Sequence, residues 1–278
     1  WMKIPMSSIL NKINFCIIGK PNSSKSNLFN CLFEDSISTV GDEYGLTKNL
    51  FKDKFTMYSH DFIIFDTPGL RRKSKIDDLD EKKRNKEVIK LVDKVDTVIL
   101  LIDSVENITK LDFRLADLAI TKKKIIFFLF NKIDLIDEGK KFKTKIDKYL
   151  SNNYSQYQMI NTDFISAKKN VRIKNFIKQI INKNKLVHVE ITKTNLNKFL
   201  NYLNKQSKYP KIKKREIKPK YIVQIKTGTP LFKVFINSKK KAPLIFQRFF
   251  DNAFRDFFKI KGVPISYQFI SSSNPYSD

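Results

Sequence analysis

From Ile13 onward the chain alternates short apolar runs with longer amphipathic ones, and this alternation constrains the fold more tightly than any other feature. Strand-like runs fall at 13–18, 54–58, 61–66, 97–103, 125–130 and 160–165, and helical periodicity predicts helices at 25–33, 80–94, 109–121, 140–153 and 171–184. Strands separated by helices pair in parallel, because only a crossover brings the chain back in the same direction. The pair 54–58 and 61–66 is the exception. Only Ser59-His60 joins them, so they form a hairpin that adds one antiparallel strand. The expected fold class is α/β, a doubly wound mixed sheet, mostly parallel, with its ligand at the carboxyl ends of the strands.

With 278 residues the chain has room for a second, smaller α+β domain. A helix at 192–204, strands at 221–226 and 231–236, a helix at 243–258 and a strand at 264–270 surround a basic connection, 205–220, that reads as having little structure of its own. In the second of these helices Phe246, Phe249, Phe250, Ala253, Phe254 and Phe257 recur at helical spacing. That places them on one core face and Arg248, Asp251, Asn252 and Arg255 on the other. The boundaries expected are a linker remnant at 1–12, a first domain at 13–186 and a second at 187–278.

Charge and cysteine usage narrow the setting. Lys and Arg number 54 against 28 Asp and Glu, and residues 186–278 hold 19 basic against 5 acidic residues, a net +14. Such a surface attracts phosphate through counterion release, although the same lysines also serve as ordinary solvated surface. No apolar run approaches the roughly 18 residues of a membrane span, and the start lacks the apolar core of a secretion signal. Cys16 and Cys31 are too isolated for a metal framework and read as buried thiols of a cytoplasmic protein, and His60 and His188 add no ligand cluster.

The chemistry sits at strand ends. After the first strand come Gly19-Lys20-Pro21-Asn22-Ser23-Ser24-Lys25-Ser26 and then a helix from Asn27, the context of a phosphate loop. Backbone N–H groups and the helix N-terminus face the β-phosphate, Lys25 adds a full charge near the β- and γ-phosphates, and the Ser26 hydroxyl suits Mg²⁺. The run 61–66 ends in Asp66-Thr67-Pro68-Gly69, a carboxylate that can hold Mg²⁺ through water and a glycine N–H for the γ-phosphate. The run 125–130 leads into Asn131-Lys132-Ile133-Asp134. An Asp134 carboxylate accepts from both N1–H and the 2-amino group of guanine, whereas adenine would leave it unpaired. Ser166-Ala167-Lys168 offers a backbone N–H to the base carbonyl. Four such motifs in this order read as one guanine-nucleotide site.

At Ser24 the phosphate-loop pattern has glycine. A backbone that approaches phosphate closely at positive φ costs other residues about 1–2 kcal/mol, enough to weaken nucleotide binding about tenfold. The Ser24 hydroxyl could offset this by donating to phosphate.

These motifs resemble the translation-factor-like GTPases and, more narrowly, the Der (EngA) family of bacterial ribosome-assembly GTPases. The narrower likeness rests on Asp66-Thr67-Pro68-Gly69-Leu70-Arg71-Arg72-Lys73, similar to the second GTPase domain of that family. It rests also on Ile191 to Asn197, Pro219 to Gln224, Pro230 to Asn237 and Gly262 to Ile265, similar to its C-terminal KH-like domain. The resemblance implies a GTPase that cycles between GTP and GDP with Mg²⁺, serves as a switch in large ribosomal subunit biogenesis and contacts ribosomal RNA. By position, Thr47 resembles the switch threonine that binds Mg²⁺, and Asn22 the asparagine that helps hold K⁺ in potassium-activated relatives. Lys25, Thr47 and Gly69 are then the groups nearest the reacting phosphate.

Leu70 stands where many GTPases place a water-orienting glutamine. Family members carry two GTPase domains before the KH-like one, so a chain opening at Trp1 reads as lacking the first. A rival reading keeps the fold and drops turnover: a degenerate, non-hydrolysing module that binds nucleotide and rRNA. No Gly-x-x-Gly clamp occurs between 221 and 270, so RNA contact is expected through the Lys/Arg surface.

Overall fold

The computed structural model describes residues 12–20, 23–34, 51–66, 78–154, 156–206, 209–212 and 215–271. The chain divides into two compact units, the described residues up to Asn184 and those from Lys185 onward.

The first unit contains β1 (Lys12–Ile18), α1 (Lys25–Glu34), β2 (Phe51–Met57), β3 (His60–Asp66), α2 (Asp78–Lys94), β4 (Thr97–Asp103), α3 (Lys110–Thr121), β5 (Ile125–Asn131), α4 (Gly139–Asn153) and β6 (Ile160–Phe164), with α5 (Ile173–Leu186) leading out. The six strands lie in the order β2-β3-β1-β4-β5-β6. Only the β2–β3 pair is antiparallel. All seven residues of β4 and of β5 are buried, as befits central strands covered by helices on both faces. On one face Leu91 and Val92 of α2, Ala116 and Ala119 of α3 and Leu150 of α4 pack on Val98, Leu100, Phe128 and Phe130. On the other, Phe33 of α1 meets Phe55 at 5.5 Å and Phe176 of α5 meets Phe127 at 5.5 Å.

The hairpin is displaced by one residue from its expected position. The turn is Tyr58-Ser59, with φ of 52° and 60°, and His60 pairs with Met57 inside the ladder. Two consecutive left-handed residues match the twist of the flanking strands, and this register buries Phe55, Met57, Phe62 and Ile64.

The second unit contains α6 (Lys193–Gln206), β7 (Lys211–Ile212), β8 (Arg215–Glu216), β9 (Pro219–Lys226), β10 (Leu231–Ile236), α7 (Leu244–Phe258) and β11 (Ser266–Ser271). Its main sheet runs β11-β10-β9, with β10 antiparallel to β9 and parallel to β11. Segment 205–220 is more structured than its composition suggests. β7 pairs with β8, Pro219 and Lys220 open β9, and Tyr209 and Ile217 enter the core. Two buried side chains among many lysines are enough to pin the segment.

Arg255 also differs from its expected place. It does not lie on the solvent face of α7 but is 1% exposed. Its Nε donates to both Asp251 carboxylate oxygens, at 2.8 and 2.9 Å, and Nη1 donates to the carbonyls of Ile260 and Val263 at 3.2 and 2.7 Å. Helical spacing places it opposite the main phenylalanine stripe, but the chain after α7 folds back over it. Cys16 and Cys31 are both buried, as expected. Among the described residues no helix is long and apolar enough to cross a membrane.

Candidate nucleotide site

Parallel pairing brings the ends of β3, β1, β4, β5 and β6 to one edge of the sheet, with Asp103 opposite Asn131 and Phe130 opposite Phe164. The described residues that follow β1, β4, β5 and β6 therefore share that edge, and β3 and β4 flank β1 on opposite sides there.

The loop after β1 is shaped by a close approach. A Cβ on Gly19 would stand 2.4 Å from the carbonyl oxygen of Leu101, so only glycine fits. The Ser23 hydroxyl closes the turn by donating to the Lys20 carbonyl at 2.9 Å. Lys25 then reaches back: its Nζ donates to the carbonyls of Gly19 at 3.1 Å and Lys20 at 2.7 Å, and to Ser23 Oγ at 3.5 Å. The ammonium is thus held over the loop that would cradle phosphate. Ser24 carries φ of 62°, the left-handed conformation that favours glycine, and its carbonyl accepts the N–H of Leu28 at 3.1 Å. Ser26 and Asn27 lie exposed in the first turn of α1.

At the other end, Asn131 joins two loops. Its Nδ2 donates to the Ser23 carbonyl at 3.3 Å and its Oδ1 accepts the Ala167 N–H at 2.9 Å. A base carbonyl approaching Ala167 would share that donor. Lys132 is left-handed at φ 65° and pairs with Asp103 at the tip of β4. Ile133 donates to the carbonyl of Ile165 at 3.1 Å, which draws Asp134 to the loop after β6. The Ser166 side chain beside Asp134 holds its carboxyl below the usual carboxylate range, with its own backbone, Lys169 and Lys168 adding to the effect against desolvation. Asp134 Oδ1 is buried and meets no donor among the described residues. An ionised acceptor with an unused lone pair suits the N1–H and 2-amino edge of guanine.

Of the residues expected at the site, Gly19, Lys20, Ser23, Ser24, Lys25, Ser26, Asn27, Asn131, Lys132, Asp134, Ser166 and Ala167 occupy this edge, and β3 ends at Asp66 beside β1. Pro21, Asn22, Thr47, Thr67, Pro68, Gly69 and Leu70 lie outside the described residues. The donor chemistry present, a hydroxyl at Ser26 and a carboxylate residue at the tip of β3, fits Mg²⁺. Two contributors escape a reading of the motifs. Asp103 follows the apolar run 98–102 as Asp66 follows its own, a signal that was there to use. Cys31 of α1 donates Sγ–H to the Ala167 carbonyl at 2.8 Å, and nothing local announces a partner 136 positions away.

A glycine-shaped loop after β1, tied through Asn131 to the loop after β6 at the carboxyl edge of a mostly parallel sheet, defines a P-loop GTPase fold. Residues 14–132 match the family described as 50S ribosome-binding GTPase, and residues 190–269 match the KH-domain-like family of EngA bacterial GTPase enzymes, C-terminal. The chain thus joins a GTPase domain to a C-terminal KH-like domain of the EngA type. It is 30% identical over 267 residues to GTPase Der of Rickettsia prowazekii, covering 95% of this chain and 60% of that protein. To GTPase Der of Chlorobium phaeobacteroides it is 31% identical over 259 residues, covering 92% of this chain and 59% of that protein. The chain therefore spans about three-fifths of these relatives. Among solved structures it is similar to Era in complex with MgGDPNP and nucleotides 1506–1542 of 16S ribosomal RNA, at 17% identity and a TM-score of 0.47, covering 96% of this chain and 95% of that one. It is also similar to translation elongation factor SelB from Methanococcus maripaludis with a GTP analogue, at 18% identity and a TM-score of 0.47, covering 66% of this chain and 36% of that one.

Proposed function

We propose that this chain binds GTP and GDP and hydrolyses GTP to GDP and phosphate, as a switch in large ribosomal subunit biogenesis. The observation that carries the reading is the Asp134 carboxylate, kept ionised beside Ser166 with a buried Oδ1 that has no partner among the described residues. Such an acceptor is costly unless something donates to it, and guanine does so where adenine cannot.

The roles follow from position. Lys25 and the first N–H groups of α1 bind the β- and γ-phosphates. Asn131 keeps the phosphate loop and the base loop in one register through Ser23 and Ala167. Ser26 and Asp66, with Thr47, would hold Mg²⁺, which neutralises charge developing on the phosphates when bound. Asn22 is the residue that would help hold K⁺. Gly69 would donate its N–H to the γ-phosphate, and with Leu70 in place of a glutamine, orientation of the attacking water falls to backbone groups and a partner. The partner proposed is ribosomal RNA or the large subunit, met through the basic surface of the second domain. A further GTPase domain ahead of Trp1, and a cytoplasmic setting, complete the reading.

The non-hydrolysing alternative draws support from the left-handed Ser24. Phosphate release from GTP with Mg²⁺ and K⁺, with and without ribosomal subunits, separates the two. Turnover above the protein-free rate is expected, and release that stays at background under all conditions leaves only the binding module.

A further inference from the structure

The three-stranded sheet of the second unit carries exposed apolar side chains, Tyr221, Ile225 and Phe235, on two of its strands. Ile222, Phe232, Val234 and Ile236 point inward and are buried with the phenylalanines of α7. Residues between them point the other way, and here the alternation is not polar. Tyr221 is 42% exposed and Phe235 37%. The two are cross-strand partners, with ring centroids 5.9 Å apart, and Ile270 stands opposite Phe235 on the far strand. In the neighbouring row Lys233 lies between Val223 and Gln268.

The charge along these strands has one sign. Strands β9, β10 and β11 contain Lys220, Lys226 and Lys233 and no acidic residue. The nearest acid in sequence, Glu216, is paired with Lys218 at 2.9 Å. A face for an acidic protein would need cations alone, and a face for an apolar helix would not place a lysine in its centre. Exposed rings beside a lysine match a polymer that alternates flat apolar bases with anionic phosphates.

We propose that this sheet face binds unpaired RNA, with bases stacking on Tyr221 and Phe235 and Lys233 meeting the backbone phosphate between them. The inference deepens the RNA-binding half of the proposed function by naming where and how the polymer is met. Stacking of this kind tolerates sequence, because every base has a π-face, and it needs bases that are not already paired.

The test uses the full chain and a short fluorescein-labelled oligoribonucleotide of mixed sequence, unpaired or annealed to its complement, followed by anisotropy. Tyr221→Leu with Phe235→Leu keeps the strand apolar and removes both stacking surfaces. It should weaken binding of the unpaired strand by about tenfold or more while duplex binding and GDP affinity stay at native values. Lys233→Gln should reduce the slope of log affinity against log salt by roughly 0.7. Ultraviolet cross-linking of the native chain should place adducts on the peptides holding Tyr221 or Phe235.

Unchanged affinity in the double variant, or adducts confined to other peptides, overturns the site while leaving RNA binding elsewhere intact. A native chain that binds neither RNA form overturns the site and the RNA half of the proposed function together. A dimer of the native chain that the double variant dissolves, with RNA affinity unmoved, would mark the face as a contact between copies and overturn it as well.

Discussion

The side-chain oxygen of Asn131 accepts the backbone N–H of Ala167 at 2.9 Å, and this bond ties the loop after β6 to the loop after β1, because the same carboxamide also donates to the Ser23 carbonyl. Asn131 is 1% exposed, so both bonds lie away from water.

Asn131→Ala leaves the Ala167 N–H and the Ser23 carbonyl without these partners. Loss of such buried bonds costs about 1–3 kcal/mol, read as a lower denaturation midpoint. Affinity for GDP should fall by about tenfold or more, since the two loops no longer share a register. An unchanged midpoint and unchanged affinity would show that the loops hold themselves.

Ser24 sits at φ of 62° in the loop proposed to cradle phosphate. Ser24→Gly removes about 1–2 kcal/mol of left-handed strain. Titration with GDP should show tighter binding by up to about tenfold. Weaker binding by the glycine variant would show instead that the Ser24 hydroxyl donates to phosphate.

Arg255 satisfies the Asp251 carboxylate and two carbonyls beyond the end of α7. Arg255→Met fits the volume but strands a partly buried carboxylate and frees the Ile260 and Val263 carbonyls. A cost of about 3–5 kcal/mol is expected in chemical denaturation of the second domain. Arg255→Lys should recover little, because one ammonium cannot span the planar fork.

Much of this was legible in the amino-acid sequence, for reasons that differ by element. Val98 to Ile102 and Ile125 to Phe130 are continuous apolar runs, and nothing but a central strand buries such a run on both faces. Gly19, Lys25, Asn131 and Asp134 fall at strand ends, where local order and spacing suffice to place them. What escaped depends on contacts far along the chain. The hairpin register depends on which side chains reach the core, and the burial of Arg255 on a later segment folding back. The contributions of Asp103 and Cys31 rest on partners 29 and 136 positions away.

The Ser166 side chain holds the Asp134 carboxyl below its usual value of 3.8. A depressed carboxyl contributes stability above its unfolded value and loses it as pH falls through the folded one. Guanine-nucleotide affinity should therefore be level from pH 5 to 8 with respect to this group and decline only below about 4. A decline between pH 5 and 7 that disappears in Asp134→Asn would contradict the assignment of its charge.

The most direct measurement is calorimetric titration of the full chain with GDP and, separately, ADP in the presence of Mg²⁺. Saturable binding of GDP is expected, with affinity for ADP weaker by on the order of 10³, since adenine leaves Asp134 without a donor. Equal affinity for the two, or no binding of GDP at millimolar concentration, would contradict it.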